Sequence, residues 1–114
     1  MKRDMDLIRA ILLDVEGEGQ VDLSAYTDEQ LVYHSTLLIE ADLVHGSAVT
    51  NAKGFPLHAV ITTLTWTGHE FLDAARSKTT WNKVKGLAKS KGLAITLDVL
   101  GALVKQVALS QISS

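Results

Sequence analysis

Four histidines are the residues of this chain best suited to metal binding or proton transfer, and their spacing argues against both roles. His34, His45, His58 and His69 lie 11 to 13 residues apart, so no pair has the i, i+4 spacing that puts two ligands on one helix face. The chain has no cysteine, which removes thiolate ligands, disulfides and a cysteine nucleophile. His45 and His58 would face each other across a hairpin, but a zinc site needs three or four convergent ligands. We therefore expect no metal site and no cofactor.

Other side chains that support catalysis also lack partners in the sequence. His69 and Glu70 are adjacent, which points their side chains in different directions on a helix. Ser24 and Ser35 have no identifiable base partner, and no phosphate-binding loop, dinucleotide motif or GxSxG nucleophile motif is present. We expect a non-enzymatic protein with no catalytic residue and no small-molecule substrate.

The uneven distribution of charge is the best functional clue in the sequence. The formal net charge is −2, but residues 4–42 hold ten acids and a single base, Arg9, whereas residues 76–91 hold six bases and no acid. An acidic segment favours a basic partner, and a basic run favours nucleic acid or an acidic protein surface.

Two helices and a β-hairpin are predicted in the first two thirds of the chain. Apolar residues at helical spacing predict a helix over residues 4–15, followed by a short strand over residues 20–23. Thr27 with Gln30 is a capping box for a second helix that ends at Asp42. Strands over residues 43–50 and 58–65, rich in β-branched side chains, flank a Gly/Pro turn. Helix, strand, turn, strand and helix in this order predict a winged helix-turn-helix fold.

Three further helices are predicted after the hairpin. Thr67 is expected to cap a helix over residues 69–76, and Thr79 or Thr80 to open a helical stretch that Gly92 ends. Thr96 is expected to cap a last helix with a wide apolar face. The predicted class is α+β and mostly helical, with a winged-helix domain at residues 1–76 and a C-terminal helical extension at residues 77–114.

Several motifs of the chain resemble those of known proteins. The segment YHSTLLIEADLV resembles the LLxEAGLI end of a winged-helix recognition helix, with Asp42 in place of the usual glycine. The segment ITTLTWTGHEFLDAARSKTTWNKVK resembles the LTxxGxxFLD…R…WxxVK block of a small uncharacterised family found in phages, prophages and bacterial genomes, and MKRDMDLIRAILLDVE resembles the start of that family. The resemblance covers nearly the whole chain and implies a winged-helix protein of phage or prophage origin.

The apolar face of the last helix indicates a homodimer, because the other helices and the hairpin already supply a core. The predicted dimer interface comprises Leu97, Leu100, Leu103, Val104 and Val107. Asp98, Lys105 and Gln106 interrupt the apolar run, so we expect no membrane helix. The N-terminus has no continuous apolar segment and does not read as a signal peptide, and with the lack of cysteine this favours a cytoplasmic location.

Two classes of partner remain open, nucleic acid and a host protein. A winged-helix domain usually places its recognition helix in the major groove, but this helix has acids and no Lys or Arg, and affinity for DNA depends largely on neutralising phosphates. The candidate nucleic-acid contacts are Gln30, Tyr33, His34, Lys53, Lys78, Lys83, Lys85 and Lys89, and Trp81 is either a base-stacking residue or a core residue. The alternative is an adaptor or inhibitor of a host defence system that uses an acidic face as a nucleic-acid mimic, formed by Asp28, Glu29, Glu40 and Asp42. We favour a nucleic-acid-binding regulator.

Overall fold

The structure, a computed structural model, describes residues 2–17, 21–92, 99, 101–103 and 106. Its elements are helices α1 (Met5–Glu16) and α2 (Asp28–Glu40), strands β1 (Val44–Thr50) and β2 (Pro56–Leu64), and helices α3 (Trp66–Ala75) and α4 (Lys78–Ser90). Residues 99, 101–103 and 106 are also helical. The predicted α+β, mostly helical class is confirmed. Among the described residues, none of the helices has both the length and the apolar content that a membrane crossing requires.

Helix α1 begins where the sequence predicts it. The Asp4 carboxylate accepts hydrogen bonds from the Asp6 and Leu7 amides, which satisfies two amides that have no partner within the helix. The helix ends at Gly17, whose φ of 78° is left-handed and therefore favours a residue without a side chain. Its buried side chains are Met5, Leu7, Ile8, Ile11 and Leu12. Burying each such side chain contributes about 1.5–3 kcal/mol, so the predicted apolar face is what holds α1 in the fold.

Helix α2 begins with the predicted capping box and ends in a Schellman motif. The Gln30 amide donates to Thr27 Oγ1 at 3.1 Å, and the Thr27 amide donates to Gln30 Oε1 at 2.8 Å. At the other end, the Leu43 amide bonds the Leu38 carbonyl and the Asp42 amide bonds the Ile39 carbonyl. This geometry needs a left-handed residue, and Asp42 supplies it with a φ of 64°.

The hairpin is antiparallel, with Ala48 opposite Ala59 and Gly46 opposite Ile61. Two irregularities interrupt its register, one after His45 and one after Val49. The turn is held by Asn51, whose side-chain oxygen accepts hydrogen bonds from the Lys53 and Phe55 amides at 2.9 and 3.0 Å. The short strand predicted over residues 20–23 is wrong where it can be checked, since residues 21–23 carry no strand, while Gln20 lies outside the described residues.

Helix α3 begins earlier than predicted. The Thr65 hydroxyl accepts a hydrogen bond from the Gly68 amide at 3.0 Å, so Thr65 and not Thr67 caps the helix. Thr65 is also fixed to the preceding turn, because its amide donates to the Leu43 carbonyl and its hydroxyl to the Asp42 carbonyl. A Cβ at Gly68 would collide with the Leu43 carbonyl oxygen. Glycine at this position therefore lets the helix start directly against the α2–β1 junction.

Helix α4 is capped by Ser77, whose hydroxyl accepts from the Thr80 amide at 3.3 Å, and not by Thr79 or Thr80. The helix ends before Gly92, which has a φ of 67° as its role of breaker requires. Trp81 and Val84 are buried. The Phe71 and Trp81 rings pack edge to face with centroids 6.2 Å apart, a preferred geometry for aromatic pairs.

The chain divides into two compact units, residues 1–69 and residues 70–114. The first contains α1, α2 and the hairpin, and the second contains α4 and the C-terminal residues. The predicted boundary between residues 76 and 77 stays a prediction. Most of the predicted last helix, including the Thr96 cap, lies outside the described residues.

Candidate nucleic-acid interface

The surface of α2 is acidic at both ends. Asp28 and Glu29 are exposed in its first turn, and Glu40 is exposed in its last. Acids suit the start of a helix, where the macrodipole is positive, but not its end. Asp42 follows, also exposed. The helix that would enter a DNA groove therefore carries three carboxylates and no cation, which opposes approach to phosphate.

His34 is not available to read a base, contrary to the prediction, because only 1% of it is exposed. The Asp4 amide donates to its Nε2 at 2.8 Å, so Nε2 carries no proton and Nδ1 is the protonated nitrogen. Nδ1 in turn donates to the Gln30 carbonyl at 2.7 Å. The imidazole thus joins the start of α1 to the middle of α2 as a neutral structural bridge.

The other two candidates on α2 are also constrained. The Gln30 side-chain oxygen is engaged in the capping box, and its assignment as a base reader stays a prediction. Tyr33 is half-buried and lies edge-on to the His34 ring, with centroids 5.2 Å apart. Little of α2 apart from its carboxylates therefore remains to contact nucleic acid.

The hairpin is almost uncharged. Lys53 is exposed at its tip and is the only Lys, Arg, Asp or Glu between Leu43 and His69. His45 lies opposite Thr63 and His58 opposite Val49, so the two histidines do not face each other across the hairpin as the sequence suggests. Large apolar side chains are exposed instead: Val49 (56%), Phe55 (64%), Leu57 (61%) and Val60 (47%). Sequence reasoning missed this surface, although the long uncharged segment was the available signal.

The lysines of α4 separate into a stripe and an outlier. Lys78, Lys85 and Lys89 are spaced by seven and four residues, which is two turns and one turn of a helix. They therefore project from one side of α4 over about 16 Å at 1.5 Å per residue. Lys83 falls about 140° around the axis from Lys78 at 100° per residue. Lys78 and Lys89 are exposed and Lys85 is half-exposed. We call Lys78, Lys85 and Lys89 the lysine stripe.

Trp81 does not belong to this surface. Only 2% of it is exposed, and it packs against Phe71. The core interpretation of Trp81 is thus the correct one, and base stacking by this residue is excluded. A different tryptophan, Trp66, is exposed at the start of α3.

Of the predicted dimer residues, only Leu103 is described, and it is buried. Leu97, Leu100, Val104 and Val107 lie outside the described residues. Their place in a dimer interface stays a prediction.

In the described part of the chain, no three His, Asp or Glu side chains could hold a metal ion. A cavity of about 310 Å³ between α1, α2 and β2 is lined by both polar and apolar groups, with Asp14, Ser35 and Thr62 among its lining residues.

Shifted pKa values occur at ordinary surface contacts. Donation from the Ser24 hydroxyl, and then from its amide, lowers the pKa of Asp22. Burial, with smaller effects from Asp4 and Asp6, raises the pKa of Tyr26. Burial lowers the pKa of Arg9, and the negative charge of Asp6 partly offsets this decrease. The Ser24 hydroxyl donates to the Asp22 carboxylate at 2.6 Å, so Ser24 has an acidic neighbour that the sequence analysis did not identify.

Comparison with known proteins identifies one family and one protein of similar sequence. The family described as "Hypothetical protein (DUF2513)" matches residues 2–94. An uncharacterized protein of Haemophilus influenzae is 38% identical over 120 residues, which cover 99% of this chain and 97% of that protein. No solved structure matches the chain. The uncharacterised family predicted from the motifs is confirmed to this extent.

Proposed function

This chain belongs to the DUF2513 family, and we propose that it is a non-enzymatic winged-helix module that binds nucleic acid as a regulator. The order of α1, α2 and a β-hairpin supports the winged-helix assignment, with α2 in the place of the recognition helix and the hairpin as the wing. The described residues between α1 and α2, residues 21–27, hold no helix. In this proposal the described residues supply two of the three helices that usually precede the wing.

The lysine stripe is the observation that carries the nucleic-acid proposal. Three cations project from one side of α4, and the helix contains no acid. Each lysine that neutralises a phosphate releases a condensed counterion, which gives salt-dependent affinity without sequence specificity. We therefore place the contact on α4 and not on α2, whose carboxylates would be repelled.

The test is a titration of the purified protein with mixed-sequence duplex DNA at several salt concentrations. Replacing Lys85 and Lys89 with Gln removes two cations from the stripe and should lower the slope of log K against log salt by about 2. The matched control replaces Lys83 and Lys91 with Gln, which removes the same charge from elsewhere on α4 and its end. We expect the control to keep most of the affinity. Equal losses in both variants, or no binding at low salt, would reject the stripe as the contact.

A protein partner is the second candidate, favoured by the carboxylates of α2. Asp28, Glu29, Glu40 and Asp42 are exposed, and none of them forms a salt bridge within the described residues. Such a face would attract a basic partner and occupy its nucleic-acid site, as an adaptor or an inhibitor of host defence does. The phage or prophage origin that this role implies stays a prediction from the resembling motifs.

The two candidates respond to different substitutions. Reversing Asp28 and Glu29 to Lys should abolish capture of a basic host protein while leaving the α4 contact intact. If that variant binds DNA and captures the basic host protein as the original chain does, the acidic face has no part in binding.

A further inference from the structure

Strand β1 has one edge that no strand of the described residues pairs with. The sheet of the described residues has two strands, so β2 satisfies one edge of β1 and no described strand lies against the other. An edge strand presents backbone N–H and C=O groups that are available to pair with another extended segment. Five of the seven residues of β1 are exposed.

The β1 sequence lacks the charges and the proline that commonly prevent pairing at an edge, and the two irregularities of the hairpin register place their extra residues on β2. Natural edge strands carry Lys, Pro or inward-pointing charges that keep other chains away. The β1 sequence VHGSAVT contains no Pro and no Asp, Glu, Lys or Arg. The outer face of the hairpin exposes Val49 on β1 and Val60 on the neighbouring strand β2. An uncharged edge strand beside exposed valines is suited to being covered by another strand.

We propose that β1 pairs in antiparallel fashion with β1 of a second copy of this chain, about a two-fold axis at Ser47. Ser47 is the middle residue of the strand, so this register uses its whole length. The two hairpins then form one four-stranded sheet with both β1 strands at its centre. This interface is different from the last helix, where the sequence places a dimer contact.

The occupant is a second copy because the strand is complementary to itself. In an isologous interface, residues on the axis meet their own copies, and residues beside it meet each other reciprocally. Ser47 would meet Ser47, and its hydroxyl both donates and accepts. Gly46 would lie opposite Ala48, and His45 opposite Val49. No like charges oppose each other, and the small residues near the axis let the strands approach.

The experiment places charges on the proposed axis and measures mass in solution. Sedimentation equilibrium between about 1 and 500 µM would give the dimer constant of the full chain and of Ser47→Lys and Ser47→Glu. Like charges directly opposite each other in an antiparallel pair are destabilising by up to about 1 kcal/mol. Each variant should therefore raise the dissociation constant of the dimer by up to roughly fivefold. An equimolar mixture of the two variants should recover the dimer, since opposite charges then face each other. Ser47 is exposed, and circular dichroism would verify that both variants fold.

Thr63→Lys is the matched control. Thr63 is exposed and lies on β2 opposite His45, one strand away from the open edge, so this variant should dimerise like the original chain. A chain that is monomeric throughout the range would overturn the proposal. So would a dimer that neither Ser47 variant weakens, which would move the interface elsewhere. Disruption by Thr63→Lys equal to that of Ser47→Lys would indicate packing through the sheet face and would overturn the edge pairing as well.

Discussion

Replacing His34 with Leu tests whether the buried imidazole joins α1 to α2. Leu fills much of the ring's volume but offers neither an acceptor to the Asp4 amide nor a donor to the Gln30 carbonyl. A part-buried amide that loses its acceptor costs about 1–3 kcal/mol, and the second hydrogen bond contributes about 1 kcal/mol. The Gln30 carbonyl is less affected, because its other lone pair keeps the bond within the helix. We therefore expect the free energy of unfolding to fall by about 2–3 kcal/mol.

Urea unfolding followed by far-UV circular dichroism measures this loss. With a urea dependence of about 1–3 kcal/mol per molar, the midpoint should fall by about 0.7–3 M. The variant should remain folded without urea, since domains of this size have about 5–15 kcal/mol of stability. His58→Leu is the control, because His58 is exposed on β2 and such substitutions change stability by about 0.5 kcal/mol at most. Equal midpoints for the two variants would refute the bridge.

Three other predictions concern the backbone and one carboxylate. Asp42→Gly should raise the free energy of unfolding by up to about 1 kcal/mol, because glycine adopts a φ of 64° without steric cost; a lower urea midpoint would contradict this. Gly68→Ala should destabilise by about 1–3 kcal/mol, since its Cβ would displace the Leu43 carbonyl, and thermal unfolding would detect it. The lowered pKa of Asp22 means that its ionised form is favoured in the folded chain; this contribution is present above the unfolded pKa and lost as pH falls through the folded one. Ser24→Ala should raise the Asp22 pKa toward its ordinary value in an NMR titration, and an unchanged value would contradict the assignment.

Local signals predicted the elements of the fold well. The capping box of α2 lies within four residues, and the hairpin follows from β-branched runs around a Gly/Pro turn, so both were readable from the chain. The start of α3 was missed because Thr65 and Thr67 are of the same residue type, which favours helix N-caps, and helix-forming sequence follows both. Only the approach of Gly68 to the Leu43 carbonyl selects Thr65.

The candidate site was predicted less well, because it depends on distant contacts. His34 and Asp4 are 30 residues apart, and nothing in the local sequence distinguishes a buried histidine from one that reads a base. The lysine run was visible, but the sequence analysis began this helix at Thr79 or Thr80 and so left Lys78 outside it; with α4 starting at Lys78, the spacing separates the lysine stripe from Lys83. The exposure of Val49 and Val60 was hidden because apolar strand residues usually indicate a buried face.

The position of α3 limits how this protein can be divided or recombined. The two compact units meet between His69 and Glu70, which is inside a helix of ten residues. A fragment that ended there would leave each piece with about half of α3, too short to persist alone. Neither unit can therefore be expressed alone without cutting through α3. Insertions and fusions should be tolerated better at the hairpin tip. We also expect the two units to be inherited together in evolution.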